Sequence, residues 1–419
     1  MEKIILKNVN ELKGEVNIGT AKNSVLPIIA ATILCPEELV IENVPMLEDV
    51  KVICNLLSEL NCDIDISNIT NKLIVNTKNI VPNDSSSELI RKMRASFLLM
   101  GPMLARFGYC KISLPGGCNI GSRPIDLHLK GFKALGADIN STHGYVEARA
   151  KELIGSRIYL DFPSVGATEN ILMASVFAKG RTIIENAAEE PEIWDLANFL
   201  NQMGAKIIGA GTGKIIIDGI NNLKSTIYTP IYDRIEAGTF ITAAAITRSK
   251  IKINGVNEEH LRPLIEKLKE MGMNFTDDKH ILYADGRNIC RPVDIKTMPY
   301  PGFPTDMQAQ MMSLLSYVNG SSIITETVFE NRFMHAQELV RMGANIKIDG
   351  RTAFIDGVDK LTGCQVRATD LRAGAAMILA GLVAEGETEI IDIYHIDRGY
   401  MNIEEKFRGL GVNIERVKY

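Results

Sequence analysis

Six copies of one short motif divide this chain of 419 residues, and they restrict its fold more than any other feature of the sequence. In each copy an amphipathic helical pattern ends in an apolar residue followed by glycine, and a short strand-like run comes next. Successive copies lie about seventy residues apart. The glycines are Gly136, Gly204, Gly272, Gly343 and Gly411, with Asn61 in the equivalent place of the first copy. Glycine and asparagine tolerate the left-handed conformation, so each position is predicted to end a helix.

A second motif alternates with the first and predicts buried helices. It has a small or charged residue, then a helical run that is almost entirely apolar, then a β-rich run that is often opened by glycine. Residues 373–384, the helix of the last copy, have no polar side chain, and a helix that is apolar all round is buried all round. The copies begin at Lys22, Arg94, Ser164, Arg234, Thr305 and Asp370. The two motifs together predict six α/β modules, grouped as two domains of three modules around buried helices.

The composition is that of an ordinary globular protein from a reducing compartment. With 46% hydrophobic residues, 23% charged residues and a net charge of -5, the chain does not indicate a nucleic-acid partner. Its seven cysteines form no Cys-x-x-Cys pair, which argues against a disulfide framework or a thiolate zinc site, and its six histidines show no metal-binding spacing. No signal peptide or membrane-spanning run is recognisable, so a cytoplasmic protein without a membrane partner is expected.

Charged and polar residues stand at the starts of the buried helices, where a purely structural repeat would not need them. They are Lys22 with Asn23, Arg94, Asp306, and Asp370 with Arg372. Helix N-termini carry unpaired backbone N–H groups and the positive end of the helix dipole, so they attract anions. A single charge of this kind is usually a solvated surface residue. Its recurrence in several copies favours a cluster that binds a ligand with several negative charges.

A glycine-rich loop, Leu-Pro-Gly-Gly-Cys-Asn-Ile-Gly-Ser-Arg-Pro-Ile-Asp-Leu-His at residues 114–128, carries the candidate reactive side chain. A thiol such as that of Cys118, near cations such as Arg123, can become a reactive thiolate. An isolated cysteine in a turn is more often buried and inert, but the surrounding pattern favours the reactive alternative. Another glycine-rich run, residues 209–214, lacks the residues that complete a phosphate-binding loop and is predicted to be a hairpin turn.

Taken together, these residues resemble the enolpyruvyl transferases that act on UDP-N-acetylglucosamine, the MurA family. The resemblance covers essentially the whole chain and is most specific in the 114–128 loop. Further matching blocks, in the same order, are 21–23, 93–96, 164–168, 189–193, 233–236, 303–310, 326–335 and 394–400. The resemblance implies two inside-out α/β domains, each of three βαβαββ-type modules around buried helices, at residues 22–230 and at 1–21 with 231–419. It also implies an active site in the cleft between the domains, with the Cys118 loop as a mobile lid.

The implied reaction transfers the enolpyruvyl group of phosphoenolpyruvate to the 3′-hydroxyl of UDP-N-acetylglucosamine and releases phosphate, by addition and elimination. In the family this is the first committed step of peptidoglycan precursor synthesis, so it serves cell-wall biogenesis, cell shape and cell division. The resemblance makes Cys118 the acid that protonates the methylene carbon, and the target of the epoxide fosfomycin. Asp306 corresponds to a general base or orienting group near the attacking hydroxyl. Lys22 and Arg398, with Arg123, correspond to residues that hold the phosphate and carboxylate of phosphoenolpyruvate.

The predicted catalytic residues are therefore Cys118, Asp306, Lys22 and Arg398. The predicted substrate-binding residues are Lys22, Asn23, Arg94, Arg123, Pro124, Ile125, Asp126, Leu127, Ser164, Val165, Gly166, Asp306, Val328, Asp370, Arg372 and Arg398. No metal or organic cofactor is implied.

Two alternatives stay open at the level of sequence. One is an enolpyruvyl transferase of the same fold that acts on shikimate 3-phosphate, against which the Cys118 loop and the segment after it argue. The other is a non-catalytic scaffold of repeated modules that binds nucleotides or a partner protein. A scaffold would explain the repeat, but it would not explain a reactive thiol together with a cation cluster and Asp306.

Overall fold

The computed structural model describes residues 2–67, 71–81, 94–113, 125–142 and 144–418. These residues form two compact units. The Asp306 unit consists of residues 2–19 and 232–418, and the Lys22 unit consists of the described residues between 20 and 231. Both units contain helices and mixed β-sheets, so the predicted α/β class is confirmed. The domain boundaries given above stay a prediction.

Within the described residues, six largely apolar helices form the interior and are here called the central helices. In the Asp306 unit, three of them contact one another, and every residue of Gln308–Leu315 is buried. The buried helices predicted from the all-apolar pattern are therefore present. The central helices are Lys22–Ala31, Met100–Phe107, Val165–Ser175, Arg234–Ile246, Gln308–Leu315 and Leu371–Gly381.

The ends of some central helices differ from the sequence prediction. The apolar run 373–384 was expected to be helical throughout, but the helix spans Leu371–Gly381. Beyond it, the carbonyl of Leu382 accepts a hydrogen bond from the backbone N–H of Val9 at 2.9 Å and so does not continue the helical ladder. Two helix starts, Arg94–Leu99 and Thr305–Met307, are 3₁₀ turns, which are frequent at helix termini.

A second set of helices, here called the outer helices, carries the glycine caps predicted from the first motif. All six predicted positions have positive φ, between 64° at Asn61 and 109° at Gly272, so these left-handed caps are confirmed. The outer helices of the described residues are Glu48–Glu59, Asp126–Ala134, Pro191–Gln202, Arg262–Met271, Ala336–Arg341 and Ile403–Gly409. A further short helix, Tyr394–Asp397, precedes the last of them.

Six sheets occur in the described residues, three in each unit. In the Asp306 unit each sheet joins antiparallel strands to one short edge strand that runs parallel to its neighbour. Its strands are Glu2–Lys7, Glu15–Asn17, Lys250–Asn254, Asn274–Asp278, Ile281–Asp285, Ile295–Lys296, Ser321–Thr325, Asn345–Asp349, Thr352–Asp356, Gln365–Arg367, Glu387–Ile391 and Ile414–Lys418.

The Lys22 unit repeats this mixture of parallel and antiparallel pairing. The strands on either side of residues 209–214 pair antiparallel, so the predicted hairpin is confirmed and the phosphate-loop alternative is excluded there. Its strands are Leu39–Ile41, Asp63–Ser67, Lys72–Asn76, Tyr109–Ser113, Asp138–Thr142, Tyr145–Arg149, Arg157–Tyr159, Arg181–Glu185, Lys206–Ile208, Lys214–Asp218 and Ile227–Tyr228.

Strand Glu2–Lys7 lies in the middle of a sheet made otherwise from the far end of the chain. It pairs antiparallel with Glu387–Ile391 on one side and with Ile414–Lys418 on the other. Ile4 and Leu6 of this strand are fully buried and belong to the core of the Asp306 unit. In the part of the chain that the structure describes, no helix is long and apolar enough to cross a membrane.

The close approach of two central helices in the Lys22 unit depends on Gly101. A Cβ atom there would lie 2.4 Å from the backbone oxygen of Asn170, in the neighbouring helix. We expect Gly101→Ala to lower the free energy of unfolding by about 1–3 kcal/mol, because neither backbone can move aside without losing packing. Equilibrium unfolding in urea measures this change.

The matched control is Gly409→Ala. Gly409 is also helical, and a Cβ atom there would meet nothing within 4 Å. This variant should be as stable as the wild type or slightly more stable, because alanine favours helix. Equal stabilities of the two variants would contradict the proposed backbone contact.

Candidate active site

Asp306 is held by two arginines just before the central helix Gln308–Leu315. Its Oδ1 accepts a hydrogen bond from Arg332 Nη2 at 2.9 Å, and its Oδ2 accepts one from Arg372 Nη2 at 2.7 Å. The two arginine side chains are only 4% and 5% exposed, whereas that of Asp306 is 27% exposed. Two buried cations therefore orient a carboxylate that stays partly accessible.

Arg372 is placed by the N-cap of the central helix Leu371–Gly381. The Asp370 carboxylate accepts hydrogen bonds from the backbone N–H of Arg372 at 2.8 Å and of the next residue at 3.1 Å. Burial by itself lowers the pKa of Arg372, but nearby negative charge, first that of Asp306, outweighs burial and the pKa is raised. Three predicted residues are thus brought together: Asp306, Asp370 and Arg372.

Arg398 lies at the end of the short helix Tyr394–Asp397 and is exposed. The pKa of His395 is lowered by its burial and then by the positive charge of Arg398, while Asp370 acts in the opposite direction. Arg398 and Asp370 therefore both act electrostatically on His395. Val328, the remaining predicted residue of this unit, donates its backbone N–H to the Glu326 carboxylate at 2.8 Å.

In the Lys22 unit, Lys22 is the first residue of a central helix and forms an ion pair with Asp49. Lys22 Nζ lies 3.2 Å from Asp49 Oδ2, and the two side chains are 12% and 10% exposed. Asp49 belongs to the first turn of the outer helix Glu48–Glu59, where the helix dipole favours an acid. Asn23, the next predicted residue, is half-buried.

A buried carboxylate fixes the start of the Lys22 helix. Asp195 is 1% exposed and accepts hydrogen bonds from the Ser24 hydroxyl, from Tyr228 Oη at 2.6 Å and from the Ile231 N–H at 3.1 Å. Burial raises the pKa of Asp195, and these hydrogen bonds act in the opposite direction. Lys22 is thereby presented from a rigid helix end.

The segments predicted to line the sugar-nucleotide site also meet in the Lys22 unit. Ser164 caps the central helix Val165–Ser175, and its side chain accepts the Ala167 N–H at 3.4 Å. Gly166 lies against His128, because a Cβ atom on it would be 3.2 Å from His128 Cε1. His128 belongs to the outer helix that begins at Asp126, so that helix start and the Ser164–Gly166 segment are neighbours. Ile125 and Leu127 are half-buried at the same helix start.

Three predicted residues, Cys118, Arg123 and Pro124, lie outside the described residues. Arg94 begins the 3₁₀ turn Arg94–Leu99, and only its backbone is described. The roles given to these four residues stay predictions, as do those of the other site residues.

Burial argues against other cysteines as the reactive thiol. Cys35, Cys54, Cys62 and Cys110 are buried, and burial raises the pKa of each, to about 12 for Cys54 and Cys62. A buried thiol with a raised pKa is a poor nucleophile. Among the described residues the cysteines form no disulfide, and no group of three or more potential metal ligands is arranged around a metal position.

The sequence reasoning missed two charged residues that bind predicted residues: Arg332, the partner of Asp306, and Asp49, the partner of Lys22. Arg332 lies inside a block that resembles the family, between Asn331 and the apolar Phe333, and a charge within such a block is a usable signal. Asp49 follows Glu48 at an ordinary acidic helix start, and nothing in its sequence context distinguishes it from a helix cap.

Comparison with known proteins shows which family this chain belongs to. The family model described as EPSP synthase (3-phosphoshikimate 1-carboxyvinyltransferase) matches residues 6–407. The crystal structure of the enolpyruvyl transferase NikO from Streptomyces tendae superimposes with a TM-score of 0.90 at 25% identity, covering 100% of this chain and 99% of that one. An EPSP synthase from Acinetobacter baumannii has a TM-score of 0.75 at 17% identity, with both chains fully covered, and shows the shared fold. The chain belongs to the enolpyruvyl transferases.

More similar relatives narrow the assignment. The UDP-N-acetylglucosamine 1-carboxyvinyltransferase 2 of Clostridium tetani is 64% identical, and the corresponding enzyme 1 of Clostridium acetobutylicum is 66% identical, each over 100% of both chains. Within the enolpyruvyl transferases, this chain is therefore a member of the UDP-N-acetylglucosamine 1-carboxyvinyltransferases, and it is an enzyme. The predicted family is confirmed, and the shikimate 3-phosphate and scaffold alternatives are disfavoured.

His335 is predicted to make the stability of the Asp306 unit depend on pH. It is 1% exposed, and its pKa is lowered to about 4, first by burial and then by Arg332, while Asp370 acts in the opposite direction. The unfolded chain takes up this proton near pH 6.5, so the folded state loses stability as the pH falls from there towards 4. We expect the free energy of unfolding to fall between about pH 7 and pH 5, and to fall less in His335→Gln.

Urea unfolding of both proteins at the two pH values tests this expectation. The difference between their pH dependences reports the titration of His335 together with its effect on the neighbouring Asp370. Equal slopes for His335→Gln and wild type would refute the linkage.

Proposed function

We propose that this enzyme transfers the enolpyruvyl group of phosphoenolpyruvate to the 3′-hydroxyl of UDP-N-acetylglucosamine. The observation that carries the proposal is identity above 60% over the full length of relatives that are named for this reaction. The 3′-oxygen forms a bond to C2 of phosphoenolpyruvate while C3 gains a proton. Loss of a proton from C3 and departure of phosphate then restore the double bond.

Asp306 is the proposed base or orienting group for the 3′-hydroxyl. A carboxylate has about four acceptor positions, so one that binds Arg332 and Arg372 can still accept a hydrogen bond from a hydroxyl. The two guanidinium groups fix the direction of its oxygens, which favours a single geometry for attack. Its partial exposure supports access by a substrate.

Lys22, Arg123 and Arg398 are proposed to hold the phosphate and carboxylate of phosphoenolpyruvate. The site geometry supports Lys22 and Arg398 in this role, because Lys22 is presented from a helix N-terminus and Arg398 is exposed at a helix end. Positive charge held in place offsets the negative charge that grows as phosphate departs. Cys118 is the proposed proton donor to C3.

The proposed sugar-nucleotide contacts fall on segments that the fold holds rigidly. Ser164, Val165 and Gly166 lie at a capped helix start beside the Asp126 helix, and the Val328 amide is held by a buried carboxylate. Asn23, Arg94, Pro124, Ile125, Asp126, Leu127, Asp370 and Arg372 complete the proposed substrate-binding set.

We further propose that the two compact units are the two domains of an inside-out fold with three modules each. The occurrence of three sheets and three central helices in the described part of each unit supports this proposal. The proposed setting is peptidoglycan precursor synthesis in the cytoplasm, and with it cell-wall growth and division.

Phosphate release from phosphoenolpyruvate tests the reaction, with each acceptor supplied in turn. We expect release with UDP-N-acetylglucosamine and none above background with shikimate 3-phosphate, because the relatives above 60% identity are named for the former. Release with shikimate 3-phosphate alone would overturn the proposed acceptor. Release with neither would overturn the proposed reaction.

Asp306→Asn tests the catalytic group. The amide keeps the shape of the carboxylate but cannot take a proton, and its NH₂ would face one of the two arginines. We expect kcat to fall by about 100-fold or more, with a smaller change in KM for the nucleotide. Asp277→Asn, at an exposed strand position of the same unit, is the control and should leave both constants unchanged. Normal kcat with only a raised KM would exclude Asp306 from the chemical step.

A further inference from the structure

Glu326 is a buried carboxylate that the proposed reaction does not use directly. Its side chain is 1% exposed, in the segment that follows strand Ser321–Thr325. Oε2 accepts a hydrogen bond from Thr305 Oγ1 at 2.8 Å. Oε1 accepts bonds from Thr297 Oγ1 at 2.8 Å, Val328 N at 2.8 Å and the next backbone N–H at 3.2 Å. These four partners are two hydroxyls and two backbone amides.

The partners of Glu326 lie on three separate segments. Thr305 is the residue before Asp306, and it opens the 3₁₀ turn that leads into a central helix. Val328 is a proposed nucleotide contact on the segment after Glu326. Thr297 follows a short edge strand, and it is held a second time because its Oγ1 accepts the Thr327 N–H at 3.0 Å. The buried Glu326 side chain therefore connects the turn Thr305–Met307, which contains Asp306, to the segment that contains Val328.

An ionised carboxylate suits this place because all four partners can donate a hydrogen bond and the carboxylate can only accept. Bonds to a charged acceptor are shorter and stronger than bonds between neutral groups, so they hold the three segments more firmly. A displacement of about 1 Å at a reacting group can cost about 100-fold in rate. The bond from Thr305 to Glu326 therefore helps to hold Asp306 in place beside its two arginines.

We propose that Glu326 is a positioning residue for this reaction, which sets Asp306 through Thr305 and the Val328 backbone through its amide. This inference rests on the proposed function. It assigns two separable effects to the Glu326 carboxylate. Through Thr305 the carboxylate affects turnover, and through Val328 it affects nucleotide binding. A purely structural role would change stability and leave both kinetic constants of the folded enzyme intact.

The test compares kcat and the KM for UDP-N-acetylglucosamine in Glu326→Ala, Glu326→Gln and Thr305→Val, at a temperature where each is folded. For Glu326→Ala we expect kcat to fall by about 100-fold and KM to rise, because both segments are released. Glu326→Gln should recover most of both losses, since its oxygen can accept the amides and the Thr305 hydroxyl can turn to accept its NH₂. Thr305→Val should lower kcat by about tenfold with KM close to wild type, because the Val328 amide keeps its partner.

Thr247→Val is the matched control. Thr247 is buried in the same unit, and its hydroxyl donates to Ala243 O at 2.7 Å, so the variant loses a buried threonine hydrogen bond that does not involve Glu326. It should be less stable with unchanged kinetic constants. If Glu326→Ala does not fold, the split between kcat and KM in Thr305→Val still tests the inference.

Wild-type kcat in Thr305→Val would overturn the inference, and so would wild-type constants in Glu326→Ala. Wild-type enzyme assayed alongside distinguishes a failure of the role given to Glu326 from a failure of the proposed reaction. Phosphate release by wild type with normal variants refutes the role of Glu326 alone. No release by wild type refutes the proposed function and the inference together.

Discussion

A helix without a polar side cannot face water in any direction, and both units are ordered by this constraint. The central helices are buried, with sheets and the amphipathic outer helices in the same units. Such a helix has room for charged side chains mainly at its ends. The cations Lys22 and Arg372 lie at helix N-termini, as does the uncharged Ser164, and Asp306 lies just before one.

Charges at these buried helix ends need partners within the protein. A cation at a helix N-terminus is disfavoured by the helix dipole. A buried charge without a counter-charge costs several kcal/mol because it has lost its hydration. Lys22 is matched by Asp49, and Arg372 and Arg332 share Asp306. The same carboxylate that neutralises two arginines is thereby held in one orientation, so a stability requirement also shapes a reactive group.

The parts of this structure that follow local rules could be predicted from the sequence. The left-handed caps at Asn61 and at Gly272 follow from backbone sterics, and the burial of the Leu371–Gly381 helix follows from its composition. The 3₁₀ turn at Thr305–Met307 could not be predicted, because its geometry depends on distant contacts such as that between Thr305 and Glu326. Periodicity does not report contacts across long sequence separations.

The candidate site shows the same division. Asp306, Asp370 and Arg372 were found from their places at helix starts and by resemblance, and the structure brings them together. Arg332 and Asp49 were missed because their importance comes from the partner they meet. Which charges pair across a fold depends on its three-dimensional contacts, so these partners cannot be identified from a single sequence.

The central place of strand Glu2–Lys7 has a consequence for the order of events on the ribosome. The strand is synthesised long before its two neighbours, Glu387–Ile391 and Ile414–Lys418. The described strands between residues 20 and 231 pair only with one another, so the Lys22 unit can fold while the chain is still growing. The Asp306 unit completes its core only after residues 387–418 have been made, and until then Ile4 and Leu6 are exposed to chaperones and to other nascent chains.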